Sequence, residues 1–264
     1  MQIIWQPLIN LLVVFYHLAF DNLGFAIIAF TVFIRLLLIP LTLPSMRAMQ
    51  KLKDYGPEID KLKKKHAGDK MKLAQAQADF YKEKGINPAA GCLPQIAQFV
   101  ILIALFQGFS AVFGASDITG KLNEVLYPAL KIDGAVNNMF LGQDLTKPDV
   151  FHIPSIPFAI PGMFLILSAY TQFLSSKLMM PAIKKEEKVA KKTEGEIDDA
   201  MASTQKYMIY MFPVMTLVFG YQFSLALVLY WATFSAFQMG QQYYMMPAAT
   251  RPSVLNFLLG KQAN

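Results

Sequence analysis

Charge is scarce in this 264-residue chain: 16% of its residues are Asp, Glu, Lys or Arg, against roughly 25% in soluble domains. The deficit is concentrated in long uncharged runs, several of which reach the roughly 20 residues needed to cross a bilayer. With 55% apolar residues and a mean hydropathy of +0.37, the composition is that of a membrane protein. Cysteine is nearly absent. The one thiol, Cys92, excludes an intramolecular disulfide and a cysteine metal site. His17, His66 and His152 share no ligand spacing, so neither a metal nor another cofactor is expected. The sequence lacks a Walker A motif, G-x-S-x-G, H-E-x-x-H, and a pair of acids within apolar runs. These absences argue against a nucleotide-driven pump, a serine hydrolase, a zinc protease, an aspartyl protease and a proton relay; the chain is not expected to be an enzyme. No internal repeat is visible, which disfavours a transporter built from two halves. The first apolar run has no preceding Lys or Arg and no small-residue cleavage pattern after it, so a cleavable signal peptide is not expected.

What is present reads as an all-α membrane protein with five transmembrane helices, an N-terminal interfacial helix and a cytoplasmic helical hairpin. Residues 1–21, with Trp5, Phe15 and Tyr16 and with Pro7 near the start, suggest an amphipathic helix on the membrane surface, a full span being the alternative. The spans are expected at 22–44, 91–113, 158–180, 205–220 and 221–245. Between the first two lies 45–90, whose stretch Ser45–Asn87 holds 11 Lys/Arg against six acids. Gly56-Pro57 and the turn His66–Asp69 divide it into helices, with Asp69 suited to an N-cap. The connection 114–157 has three lysines and five acids, 181–204 is charged with five lysines, and 246–264 is a tail carrying Arg251 and Lys261. Placing the basic segments in the cytoplasm puts the N-terminus outside and the C-terminus inside a plasma (inner) membrane. The net charge of +6 then reflects orientation; no DNA partner is expected.

Arg35 is the one charge in its span, about nine residues, or roughly 13 Å at 1.5 Å per residue, from the cytoplasmic end. A charge near mid-bilayer costs at least roughly 2.5–3.5 kcal/mol on insertion scales. It should face protein or water, snorkelling to the interface being the alternative. Thr31, four residues before it, and Thr42, seven after, share its helical face. No span offers an acid to pair with it. Other spans offer polar faces: Ser168, Gln172, Ser175 and Ser176 in the third, Trp231, Ser235, Gln238 and Gln242 in the fifth, Gln95 and Gln98 in the second. These are consistent with a groove around Arg35 and equally with interhelical hydrogen bonds. Met46 and Met49, and Met201, Met208, Met211, Met215, Met239, Met245 and Met246, could adapt to varied apolar partners or fill a core. The basic hairpin alone does not choose between anionic lipid, ribosomal RNA, a nascent chain and simple solvation.

Three segments together resemble the YidC/Oxa family of membrane insertases, over about Trp5–Tyr244. They are Phe33-Ile34-Arg35-Leu36-Leu37-Leu38-Ile39-Pro40-Leu41, then Gly85-Ile86-Asn87-Pro88-Ala89-Ala90-Gly91-Cys92-Leu93-Pro94-Gln95, and last Met211-Phe212-Pro213-Val214-Met215 with Leu227-Val228-Leu229-Tyr230-Trp231. The resemblance is to a compact bacterial form without a large outer domain. It implies an insertase and chaperone that receives hydrophobic segments of nascent membrane proteins in a cytosol-open polar groove. Release is sideways into lipid, without nucleotide hydrolysis. It implies Arg35 as the central groove residue with Gln172 and Trp231, and more weakly Gln95, Gln98, Ser168, Gln238 and Thr31. Implied partners are nascent membrane proteins and membrane lipids, with the ribosome (through hairpin and tail) and a Sec translocon as further candidates, the chain acting as a monomer. One departure is Phe223-Ser224-Leu225-Ala226, where the family often has Pro-Ala-Gly. The competing reading is a small-solute or anion transporter with Arg35 as its binding site.

Overall fold

The computed structural model describes residues 2–66, 68–87, 93–113, 115, 117–153, 159–175, 210–211, 213–245, 251 and 253–258. The charged connection expected at 181–204, the step Pro88–Cys92, and Met201, Met208 and Met246 lie outside them. The chain is mostly helical. In order it forms α1 (Gln2–Leu18), α2 (Leu23–Leu37), α3 (Ile39–Asp54), α4 (Gly56–Lys65), α5 (Lys70–Glu83), α6 (Leu93–Phe113) and α7 (Ile118–Val125). A 3-10 turn at Pro128–Leu130 follows, then the two-residue strands β1 (Met139–Phe140), β2 (Gln143–Asp144), β3 (Val150–Phe151) and β4 (Ile160–Pro161). The remaining helices are α8 (Met163–Ser175), α9 (213–219), α10 (Leu225–Met245) and α11 (Val254–Leu258). The strands pair antiparallel as β1–β2 and β3–β4.

Among the described residues, one helix is by itself long and apolar enough to cross a membrane, within Ile96–Phe113 of α6. A second candidate is the pair α1 and α2, which passes only jointly and is bent by 119°. The chain reverses there through Phe20 and Asp21, both at positive φ (57° and 53°). That backbone region costs an L-residue roughly 1–2 kcal/mol, so the turn is held by its surroundings.

The chain divides into two compact units. The first comprises Met1–Leu38, Ile96–Thr171 and Pro213–Gln238. Its core joins α1 (Ile9, Leu12, Val13, Tyr16), α2 (Ala26, Ile27, Phe30), α6 (Leu105, Phe109) and α10 (Leu225, Val228, Leu229). Ile9 sits in the notch that Gly108 leaves on α6, where a Cβ would meet its side chain at 2.8 Å.

One feature of this unit organises the rest: a single connection, 117–162, terminates three helices. A helix N-terminus leaves backbone N–H groups without intrahelical acceptors, and here the connection supplies them. At α2, Asn137 O accepts from Leu23 N (3.1 Å). The Asn22 side chain caps Gly24 N and Phe25 N (3.0 and 3.2 Å) and donates to Met139 O (3.0 Å). Phe140 closes over Gly24, where any Cβ would run into its ring. At α10, Leu225 N and Ala226 N donate to Lys147 O (2.6 Å) and Leu145 O (2.9 Å), and Pro148 pairs with Ser224 as an isolated antiparallel bridge. The Phe-Ser-Leu-Ala step thus starts its helix on borrowed carbonyls rather than on a local bend.

At α8 the cap is a carboxylate. Asp149 is buried, its Oδ2 accepts from Leu165 N (2.6 Å) and its backbone O from Gly162 N (2.8 Å). A Cβ at Gly162 would collide with the Asp149 carboxylate. Oδ1 is buried without a hydrogen-bond partner among the described residues. Burial pushes this carboxyl above the usual range, although the backbone N–H donors of Leu165 and Phe164 oppose the shift. A raised carboxyl pKa in the folded state means that this group favours folding most when protonated, and that its contribution is lost as pH rises through its folded value. Asp149→Asn keeps the acceptor and removes the ionisation. The variant is expected to be at least as stable as wild type at neutral pH and to show a flatter stability profile across the weakly acidic range, read by thermal unfolding in detergent. A wild-type stability that instead rises with pH there would contradict this account.

The second unit comprises Ile39–Gln95, Gln172–Phe212 and Met239–Asn264. Within it α4 and α5 pack as a hairpin, with Ile59 and Ile86 buried. Pro57 stands in the first turn of α4, the Asp69 carboxylate caps α5 through Lys72 N (3.0 Å), and Gly85 takes a positive φ of 61° just past its end. That capping bond holds the Asp69 carboxyl below its usual range. Lys84 reaches back over the Tyr55 and Phe80 rings, 5.6 Å from each. Gln241 Nε2 donates to Thr42 Oγ1 (3.0 Å), tying α10 to α3.

One expectation is corrected here. The helix holding Arg35 does not run on to residue 44. It ends at Leu37, Leu38 caps it, and α3 begins at Ile39 and continues through Pro44 to Asp54. Pro40 falls in the first turn of α3, where a missing N–H costs least. Thr42 therefore lies beyond a break, and helical arithmetic does not put it on the face of Arg35.

Candidate functional site

Arg35 is 8% exposed, and its surroundings are aromatic. The guanidinium carbon lies 4.1 Å from the centroid of the Phe234 ring and 5.5 Å from that of Phe237, both on α10. Among the described residues, the buried Nε has no hydrogen-bond partner and no acid forms an ion pair with Arg35. The positive charge is therefore held but not neutralised. A cation over a ring face is worth about 0.5–1 kcal/mol when exposed and about 2 kcal/mol or more when desolvated.

Tyr230, Phe234 and Phe237 are spaced four and three residues apart, so they share one face of α10. The Tyr230 and Phe234 rings lie 6.3 Å apart. The Tyr230 hydroxyl accepts a hydrogen bond from Gln98 Nε2 on α6 (3.0 Å). Around Arg35 the first unit thus presents a cation, a strip of three aromatic rings and one amide–phenol bond.

The expected site residues divide accordingly. Gln98 joins the aromatic strip through Tyr230. Thr31, fully buried, donates its hydroxyl to Ile27 O (2.6 Å) and closes on its own helix. Ser168 is fully buried on α8, and Ser235 is buried on α10; neither hydroxyl has a partner among the described residues. Trp231 and Gln238 are half-buried on α10, one residue further round than the ring-bearing positions. Gln172 is half-buried on α8 and belongs to the second unit, as does Ser175, whose hydroxyl is buried. The Gln95 side chain and Ser176 lie outside the described part. Among the described residues no three of His, Cys, Asp and Glu come together to hold a metal.

Phe234 and Phe237 are the residues that sequence reasoning missed. Acids are the usual partners of an arginine, and the polar stripe Trp231–Ser235–Gln238–Gln242 marks the neighbouring face of α10. The spacing of aromatic residues at 230, 234 and 237 was the available signal.

Comparison with known proteins adds independent grounds. The family model described as 60Kd inner membrane protein matches residues 14–251. The chain is 33% identical over 225 residues to a membrane protein insertase YidC of Fusobacterium nucleatum, covering 85% of this chain and 86% of that one. It is 32% identical over 219 residues to a membrane protein insertase YidC of Clostridium tetani, covering 83% and 79%. A similar protein of Pelodictyon phaeoclathratiforme, also a membrane protein insertase YidC, is 29% identical over 246 residues, with 91% of this chain matching 36% of that longer one. On a match that spans most of its length, the chain belongs to the 60Kd inner membrane protein family, the YidC/Oxa family.

Proposed function

We propose that the chain inserts newly made proteins into the plasma membrane, and that Arg35 is the point at which a substrate is first held. The observation that carries this reading is a buried guanidinium with no counter-ion among the described residues, set against rings in a helix bundle whose α6 is apolar enough to cross a bilayer. A structural ion pair would have spent that charge inside the protein. An unneutralised arginine instead attracts a carboxylate from outside, and attraction in a low-dielectric site is stronger than in water.

In the proposed cycle a hydrophobic segment enters from the cytosol beside α2, α8 and α10. Arg35 draws the acidic residues of the short flanking tail to mid-membrane depth, which shortens the remaining apolar crossing. The hydrophobic segment then moves sideways past α8 and α10 into lipid. The driving force is its own transfer from a polar groove to hydrocarbon, so nucleotide hydrolysis by this chain is not needed. The connection 117–162 closes the far, extracytoplasmic end by terminating three helices there. α1 lies along that surface, and the basic hairpin α4–α5 stands in the cytosol to meet lipid, nascent chain or ribosome. Trp231, Ser168 and Gln238 line the groove in this reading, with five spans and the C-terminus inside.

Photocrosslinking from position 231 to a stalled nascent chain tests it. A crosslink that follows the hydrophobic segment as the chain lengthens is expected, with none from the exposed, lipid-facing position 218. Equal crosslinking from both positions, or none from 231, would contradict a groove and leave a scaffold or a solute transporter as the better reading.

A further inference from the structure

Arg35 needs a partner that stabilises its charge without consuming it, and the structure supplies one. A carboxylate in the same place would occupy the N–H edge of the guanidinium, and a substrate acid would have to displace it. A ring face works differently. It attracts the cation through its quadrupole and offers no lone pair, so the terminal N–H groups keep their capacity for the two parallel bonds that carboxylates accept. The Phe234 ring centroid is 4.1 Å from the guanidinium carbon and that of Phe237 is 5.5 Å away. The Phe234 ring is in turn set against Tyr230, whose hydroxyl is fixed by Gln98. The order of support runs from α6 through Tyr230 and Phe234 to the charge on α2.

Resting on the insertase reading above, we propose that Phe234 is a positioning residue for substrate capture: it holds the Arg35 guanidinium over its ring without neutralising it, so that the charge stays available to an acidic residue of the incoming tail. The chemistry selected is a carboxylate, and the quantity it controls is the preference for acidic over neutral tails rather than insertion as such.

The test uses the full chain in proteoliposomes with two substrates that differ only in carrying Asp or Asn in the translocated tail. The readout is the ratio of acidic-tail to neutral-tail insertion, normalised to the protein incorporated. Phe234→Leu, which keeps apolar bulk and removes the ring, is expected to lower that ratio about threefold. Phe234→Trp, which strengthens the quadrupole, is expected to restore it to at least the wild-type value. If the Leu variant does not accumulate, Phe234→Met removes the ring with an unbranched side chain of similar size and carries the same expectation. A ratio unchanged in the Leu or Met variant, or lowered equally by Trp, overturns the proposal, because a packing role would not distinguish tail charge. Arg35→Ala is measured beside them. A ratio that falls in Arg35→Ala but not in Phe234→Leu contradicts the positioning role alone, whereas a ratio unchanged in Arg35→Ala contradicts the capture reading on which it rests.

Discussion

Arg35→Ala is expected to reduce insertion of a substrate with an acidic tail by about tenfold in a reconstituted assay, while the protein itself accumulates and folds. The magnitude follows from the cost of carrying an acid through the bilayer centre, roughly 2.5–3.5 kcal/mol. If the arginine offsets about half of that in the rate-limiting crossing, the loss is close to one factor of ten, at 1.36 kcal/mol each. The protein should still fold, because removing a buried cation also removes its desolvation cost, which offsets the lost cation–π contact and the lost packing of the aliphatic stem. Arg35→Lys should fall between the two. It keeps the charge but offers a compact ammonium in place of a planar fork. Unchanged acidic-tail insertion in Arg35→Ala at normal protein levels would contradict the role given to this residue.

The second large effect concerns folding. Asn10 lies on α1 and is 2% exposed. Its Nδ2 donates to Val125 O (3.1 Å) and Gln6 O (2.9 Å), and its Oδ1 accepts from Tyr127 N (2.6 Å). With Gln6 Nε2 also donating to Val125 O (2.9 Å) and the Tyr16 hydroxyl accepting from Asn137 N (3.0 Å), α1 is bonded to the same connection that terminates α2, α8 and α10. Asn10→Leu fills the volume but leaves the Tyr127 N–H without its acceptor, and a buried unpaired group costs about 1–3 kcal/mol. With the lost donor added, the expected destabilisation is about 3 kcal/mol. For a chain of this size that is a fall of roughly 6–12 °C in the midpoint of thermal unfolding. An unchanged midpoint would show that α1 is not held to the connection through this side chain.

Much of the fold was readable because it rests on signals local in sequence. The uncharged run of α6, Pro57 in the first turn of α4, the Asp69 cap and Gly85 at the end of α5 each have a cause within a few residues. The break at Leu38 was not readable. Both sides of it are apolar and helix-permitting, and Pro40 and Pro44 are tolerated inside α3, Pro40 in its first turn. The terminating connection was read as a long loop of mixed charge. Its function depends on backbone carbonyls of Asn137, Leu145 and Lys147, which every residue type possesses, so no composition could announce it. Asp149 was one of five acids in that stretch, and only its burial against Leu165 N separates it from the rest.

The site divides in the same way. An arginine in an apolar run is conspicuous. Its partners required the rotational phase of α10. A turn of one residue, about 100°, separates the stripe containing Trp231 and Ser235 from the face carrying Tyr230, Phe234 and Phe237, and only tertiary packing decides which of the two meets α2.

The capture of a carboxylate by Arg35 is measured most directly as a coupling. Insertion is compared for wild type and Arg35→Ala, each with the acidic tail and with its Asp residues changed to Asn, and the interaction is the departure of the double change from the sum of the single ones. Direct contact in the crossing step predicts a coupling of about 1 kcal/mol or more, so that Arg35→Ala is damaging with Asp in the tail and nearly silent with Asn. Losses that are equal for the two tails, and therefore additive, would contradict it.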